Sequence, residues 1–231
     1  SLSFGNLIIA TGARVKRPAF LKGPTPDGVF FAMTWNDIER LREYVEKRGA
    51  KSPSMTMKAA VVGGGLLGIE MAESLARLGL ATSLYHGAAF APSFSRTGAH
   101  LIQAALEKKN VAVGKQRVVD LITDASRSTI ASYAVPSSPI EKPAVRGVRL
   151  EGGGEAAADI VVVATGVEPI TEAYAAAGGR LHSSGAISVG DTQATEFPFV
   201  YAAGDCATVL DAVTGKETYF AYARPARDAG Y

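Results

Sequence analysis

Lys58-Ala-Ala-Val-Val-Gly63-Gly64-Gly65-Leu-Leu-Gly68-Ile-Glu70-Met-Ala-Glu-Ser-Leu-Ala-Arg-Leu-Gly79 decides the fold. The stretch reads as a short buried strand, a glycine turn and an amphipathic helix, with Gly63, Gly65 and Gly68 in G-x-G-x-x-G spacing. In such a turn the first glycine permits a tight bend and the second lets the main chain approach a pyrophosphate. The third lets the helix pack closely on the strand. The helix that starts at Leu66 and Leu67 points free N–H groups and about half a positive charge at the phosphates. Leu67, Met71, Leu75 and Leu78 recur at helical spacing as an inward face, and Gly79 is a natural stop. Three glycines alone also make ordinary turns. What points to a dinucleotide is the context: a strand before them, a helix after, and a second strand, Ala81 to His86, beyond.

Working outward, the 231 residues have room for one large or two modest domains. A hydrophobic content of 47% and 25 glycines fit an α/β protein rich in turns rather than a disordered chain. Charge is scattered around a formal +2, which leaves no footprint for nucleic acid or a membrane surface. No apolar run approaches the roughly 20 residues of a membrane span, and no signal peptide opens the chain. A single cysteine, Cys206, excludes an intrachain disulfide and suits the cytoplasm or another reducing compartment. With it, His86, His100 and His182 are too scattered for metal-ligand spacing, so no metal is expected. Neither a G-x-S-x-G elbow nor a G-x-x-x-x-G-K-[ST] loop occurs. The opening Ser-Leu-Ser-Phe, without an initiator methionine, reads as an internal piece of something longer.

In chain order, Asn6 to Gly12 is a brief apolar strand, and Arg14 to Pro26, broken by three prolines, a connector. Val29 to Met33 is a further strand. Thr34-Trp-Asn-Asp37 is a capping box for a helix that carries Ile38, Leu41 and Val45 inward and ends at Gly49. Beyond the glycine helix come the strand ending at His86 and a helix, Thr97 to Asn110, with Leu101, Ile102, Ala105 and Leu106 inward. The strand at Val111 to Val113 completes half of a doubly wound fold. Arg117 to Leu150 alternates as an antiparallel excursion with a floppy tip near Ser126–Pro139. Asp159 to Gly166 is apolar throughout, as expected of a strand at the centre of a parallel sheet. Gly185–Val189 and Phe199–Ala203 are strands, and Pro225 belongs in the first turn of a last helix.

Together these motifs resemble the pyridine nucleotide–disulfide oxidoreductases, flavoproteins with two dinucleotide folds, and within them the NADH oxidase and coenzyme A-disulfide reductase branch. The resemblance rests on Ala10-Thr-Gly12, the Gly63 to Glu70 fingerprint, Ala164-Thr-Gly166, and Gln193-Ala-Thr before Val200-Tyr-Ala-Ala-Gly-Asp205. To these is added Tyr219 to Gly230. It implies an α/β chain in which a Rossmann-like NAD(P)-binding domain, residues 28–165, is inserted into a partial FAD-binding domain, residues 1–27 and 166–231. Gly63, Gly65, Leu66, Leu67, Gly68, His86 and Gly166 would contact NAD or NADP. Thr11, Gly12, Gly204, Asp205 and Ala223 would contact FAD, with Asp205 accepting a hydrogen bond from a ribityl hydroxyl. Glu70 would lie near the meeting point of nicotinamide and flavin; as a first-turn acid it would equally suit any helix N-terminus. The implied reaction is hydride transfer from nicotinamide to flavin and on to a disulfide, oxygen or another small acceptor, in a protein that is homodimeric when intact.

Four features depart from that pattern. Leu66 stands where relatives commonly carry an aromatic ring over the flavin; leucine shields apolar surface but cannot stack. His86 ends the strand where NAD-preferring relatives place an acid on the ribose 2′-hydroxyl. Losing that charged acceptor costs about 1.5–3 kcal/mol and removes the repulsion that excludes a 2′-phosphate. NADPH is therefore expected to be tolerated or preferred, with His86 contacting that phosphate, although no arginine follows in Gly87–Phe90. Relatives open with a second glycine fingerprint and a redox-active cysteine that the residues from Ser1 onward do not include, and Cys206 is expected to be a small buried residue rather than a redox centre. Alone, the chain is expected to bind nicotinamide dinucleotide, to hold FAD poorly and not to complete disulfide chemistry. A second class fits the same departures: a non-catalytic or degenerate nucleotide-binding module.

Overall fold

The computed structural model describes residues 3–51, 55–124 and 142–230. Two compact units divide the chain, Ser1–Lys16 with Val167–Tyr231, and Arg17–Gly166. The first of these opens with β1 (Leu7–Ile9) and β2 (Ala13–Val15).

Within Arg17–Gly166, strands and helices alternate as β3 (Val29–Phe31), α1 (Trp35–Lys51), β4 (Lys58–Gly64), α2 (Leu66–Arg77), β5 (Ala81–Phe90), α3 (Arg96–Lys108) and β6 (Ala112–Gly114). The antiparallel strands β7 (Val118–Thr123), β8 (Val145–Leu150) and β9 (Glu155–Ala157) follow, then β10 (Ile160–Val163). β10 returns between β3 and β4, giving a five-stranded, wholly parallel sheet in the order β3-β10-β4-β5-β6. The glycine-bearing strand β4, and not β10, thus takes the central place. Period-two geometry sends alternate residues to opposite faces. Val61, Ile160 and Val162 meet Leu41, Ile69, Ala72, Leu75 and Leu106 of the helices. Ala60, Val62, Val161 and Val163 meet Val118, Leu121, Val145 and Val148 of the antiparallel sheet. Covering both faces is what makes these strands continuously apolar, and each fully buried Val, Leu or Ile contributes about 1.5–3 kcal/mol. The antiparallel excursion is therefore the second covering layer, where a doubly wound fold would place helices. The stretch expected to be its floppy tip lies outside the described residues.

Helix ends follow the sequence closely. Thr34 and Asp37 exchange reciprocal capping bonds, Asp37 N to Thr34 Oγ1 at 3.1 Å and Thr34 N to Asp37 Oδ2 at 2.9 Å. Gly79, with φ +85°, ends α2: its N–H donates to Ala76 O and that of Leu80 to Leu75 O. Asn110, with φ +61°, ends α3 by the same pattern. Helix faces need correction. Leu67 in α2 and Leu78 just past its end are 36% and 65% exposed, and the buried residues are Gly68, Ile69, Met71, Ala72 and Leu75, so Met71 and Leu75 face inward as expected. The small residues Gly68 and Ala72 let the helix lie close to the sheet, and that centres the contact stripe on them, Met71 and Leu75 and leaves Leu67 and Leu78 outside it. α3 packs over the edge strand β6, so Leu106 is buried while Leu101 and Ala105 are exposed. In α1, which runs past Gly49 to Lys51, Ile38 is exposed and Leu41 buried.

In the other unit β1 pairs in parallel with β12 (Val200–Ala202), and β2 pairs antiparallel with β11 (Val167–Pro169). The expected connector therefore begins with a strand, tied by Arg14 Nε to Glu168 Oε1 at 2.7 Å. Tyr174 of the short helix Glu172–Ala176 packs with Ile187, Val189, Val200, Ala202 and Cys206. Gly185–Val189, expected to be a strand, makes only isolated bridges from Ile187 to Leu181 and Ala207. The Val189 N–H donates instead to Thr208 Oγ1 at 3.1 Å, a side chain standing in for a ladder partner.

Candidate functional site

A single residue, Gly65, separates the end of β4 from the start of α2. Gly63 has φ +123°, and a Cβ there would lie 2.2 Å from Ala164 O. A Cβ at Gly68 would lie 1.9 Å from Gly63 O, so α2 leans directly on the main chain of the turn. Gly65 differs from both. Its φ of −77° and ψ of 179° are open to any residue, and a Cβ would meet nothing within 4 Å. The space in front of it is free, and no side chain caps the first turn of α2, whose leading N–H groups have no intrahelical partner. Leu66 and Leu67 are exposed there. Ala164, at the end of β10, closes the turn from one side, with Gly166 exposed beyond it at φ +100°. This is the carboxyl edge of the sheet at the point where strand order reverses, β5 and β6 building one way from β4 and β10 and β3 the other. Open α/β sheets take ligands at such a point. Glu70 is exposed, and as the fifth residue of α2 it falls outside the first turn, contrary to the dipole-based alternative.

His86 adjoins the turn: a Cβ on Gly64 would lie 2.4 Å from His86 Cβ. The strand does not end at His86 as expected. After a register shift it continues to Phe90, which pairs with Gly64, and the two rings stand 5.3 Å apart. His86 Nδ1 is buried without a partner; burial, and then the nearby Lys115 charge, hold its pKa below that of a free histidine. Beside it a cavity of about 700 Å³ is lined by His86, Phe90, His100, Arg96 and Lys115, among others. Sequence reasoning overlooked Arg96 and Lys115. Lys115 directly follows β6, and its place at the carboxyl end of a parallel strand was the available signal.

In the other unit, the paired strands β1 and β12 both run out toward glycine-containing turns. Thr11 Oγ1 donates to Ile170 O at 2.5 Å, and Gly12, at φ +70°, accepts from Ile170 N at 2.9 Å. Ala203 N donates to Ile9 O at 3.0 Å, so Gly204-Asp205 follows the end of β1 closely. Gly204 has φ +83° and open space around it. Asp205 Oδ1 is buried with no partner, and burial raises its carboxyl pKa. Tyr219 Oη donates to Asp205 O at 3.0 Å, and burial pushes that phenol up to about 12. Cys206 is fully buried, its sulfur 3.3 Å from Ala203 O. Ala223 is exposed as the first residue of the short helix Ala223–Asp228. Among the described residues no group of acids, histidines and cysteine is placed to hold a metal, and no helix is long and apolar enough to cross a membrane.

An orphaned, partly buried carboxyl has a stability signature. Because the folded pKa of Asp205 lies above the unfolded one, the folded state binds more protons, and stability falls as pH rises from about 4 through the raised value. Asp205→Asn is expected to reduce that fall and to raise the melting temperature at neutral pH. Thermal melts of both proteins between about pH 4 and 7 check it; a variant that loses as much stability as the parent across that range would refute it.

Comparison with known proteins matches residues 1–230 to the family model described as pyridine nucleotide-disulphide oxidoreductase, and the chain belongs to that family. It is 32% identical over 219 residues to an NADH oxidase of Methanocaldococcus jannaschii, spanning 94% of this chain and 43% of that one. With a CoA-dependent NAD(P)H sulfur oxidoreductase of Pyrococcus abyssi it is 30% identical over 233 residues, spanning 100% of this chain and 46% of the relative. Among solved structures, an NAD-dependent persulfide reductase from A. fulgidus superposes with a TM-score of 0.82 at 29% identity, over 99% of this chain and 38% of that one. The chain thus spans less than half the length of these relatives.

Proposed function

We propose that this chain carries the pyridine-nucleotide-binding domain and flanking flavin-binding segments of an FAD-dependent NAD(P)H oxidoreductase. Hydride would pass from nicotinamide to flavin and on to a small acceptor, a sulfur compound or oxygen. The observation that carries the reading is the Gly63–Gly68 turn, open only at Gly65, at the head of an uncapped helix on the central strand. There the main-chain N–H groups of Leu66 and Leu67 hold a diphosphate against the helix N-terminus. His86 and the cavity beside it take the adenosine end, and Glu70, one turn further along α2, contacts the nicotinamide end. The unpartnered Asp205 Oδ1 fits a flavin ribityl hydroxyl, which would supply the hydrogen bond that this buried oxygen lacks. When bound, FAD supplies hydride acceptance and onward electron transfer; the protein supplies position and electrostatics. The fully buried Cys206 takes no part in that transfer. A reducing compartment and a homodimeric whole protein complete the proposal.

The test is spectroscopic. The intact protein that contains this chain should be yellow as purified and bleach without oxygen on addition of NADH or NADPH. An intact protein that binds nucleotide yet leaves its flavin oxidised would defeat the redox reading.

A further inference from the structure

We propose that Arg96 and Lys115, with His86 beside them, form a seat for the 2′-phosphate of NADPH, so that this chain selects NADPH over NADH. The inference rests on the dinucleotide reading of the glycine turn and adds to it the choice between the two nicotinamide cofactors. Its basis is the cavity of about 700 Å³ at the carboxyl ends of β5 and β6, a volume in the range of ordinary cofactor pockets.

Two independent features fix the place. His86 packs against Gly64 inside the fingerprint, so the cavity begins one strand over from the turn. A dinucleotide whose diphosphate rests at Gly65 sends its adenosine ribose toward the end of that next strand. Register then brings the cation. Gly114 of β6 is the partner of Tyr85 in β5, so Lys115, the next residue, comes level with His86. The Lys115 charge is felt by the His86 ring. Arg96, the first residue of α3, lines the same cavity from the helix side.

The charge balance of the lining favours an added phosphate. It contains Arg96, Lys115, His86 and His100, and no aspartate or glutamate. Neither Arg96 nor Lys115 forms an ion pair among the described residues. NAD(H) recognition uses a carboxylate to accept the ribose 2′-hydroxyl. Nothing in this lining can play that part with a negative charge. A phosphate dianion instead gains charge-assisted hydrogen bonds from a lysine and an arginine that otherwise face only solvent. His86 lines the same cavity and brings no negative charge to it. The cation absent from Gly87–Phe90 is thus supplied from two other elements of the fold.

The experiment is calorimetric titration of the chain with NADP+, NAD+, 2′,5′-ADP, 5′-AMP and inorganic phosphate at matched ionic strength. NADP+ is expected to bind at least about tenfold more tightly than NAD+, and 2′,5′-ADP more tightly than 5′-AMP by a similar factor. Lys115→Ala and Arg96→Ala should each weaken NADP+ by about five- to tenfold, leave NAD+ within about twofold, and flatten the salt dependence of NADP+ binding. Lys115→Arg should retain the preference. Both positions lie at a solvent-facing cavity, and unchanged melting temperatures confirm that the variants fold. Equal affinity for NAD+ and NADP+, or variants that weaken both alike, would overturn the inference while leaving the dinucleotide reading intact. Inorganic phosphate binding as tightly as 2′,5′-ADP would overturn it too, since the seat would then be a free-anion site. Failure of both dinucleotides to bind would bring down the reading on which it rests.

Discussion

A Gly65→Asp variant is expected to fold at least as stably as the parent chain and to lose nicotinamide dinucleotide binding by two orders of magnitude or more. The two effects have opposite signs because they act on different sides of the same residue. Gly65 is the N-cap of α2 with φ −77° and ψ 179°, and a side chain there would meet no atom within 4 Å. Aspartate is among the best N-cap residues, so its carboxylate should accept the free N–H bonds and gain a few tenths of a kcal/mol over glycine, about 0.3. Those same N–H groups are the ones assigned to the diphosphate. Occupied by a carboxylate, they no longer bind it, and the new charge repels it; unit charges 4 Å apart near a protein surface interact by about 4 kcal/mol. Thermal melts and calorimetric titration on one preparation read both effects. A Gly65→Asp protein that still binds NADP+ or NAD+ like the parent would place the ligand elsewhere.

Gly68→Ala is expected to do the reverse, injuring the fold first. Its added methyl would lie 1.9 Å from Gly63 O and 3.0 Å from Gly63 C. These are main-chain atoms in a turn that lies against Ala164, where a Cβ on Gly63 would come within 2.2 Å of Ala164 O. No rotamer change relieves the clash; α2 must lift off β4, and with it Ile69, Ala72 and Leu75 lose their packing. Overpacking that forces such a shift costs about 3 kcal/mol or more, which for a chain of this size lowers the melting temperature by roughly 6–12 °C. Differential scanning calorimetry of Gly68→Ala beside Gly65→Ala gives the contrast. A Gly68→Ala protein that melts with the parent would mean that α2 does not lean on the turn as described.

What the sequence disclosed, and what it concealed, has a physical pattern. The fingerprint was legible because glycine positions are dictated by the backbone: φ +123° at Gly63 and the contact at Gly68 exclude any side chain, whatever the surroundings. Caps were legible for the same local reason, as Thr34 with Asp37 and Gly79 show. Helix faces were less so. The leucines at 67, 78 and 101 have the right period but are exposed, because the closest approach is set by the small residues Gly68 and Ala72 and by where the sheet runs out at β6. The cavity beside His86 was invisible in the primary structure. Arg96 opens α3 and Lys115 directly follows β6, and only the pairing of Gly114 with Tyr85 places Lys115 level with His86. Asp205 was legible as a residue, through its place after Gly204, but its unpartnered oxygen appears only once β1 and β12 are paired.

The most direct test of the central claim is where a bound dinucleotide puts its diphosphate. A crystal structure of the chain with NADP+ or NAD+ is predicted to show those oxygens within hydrogen-bond distance of the Leu66 and Leu67 main-chain nitrogens, with nothing between them and Gly65. Diphosphate density at any other edge of the sheet, with the mouth of α2 left empty, would contradict the account.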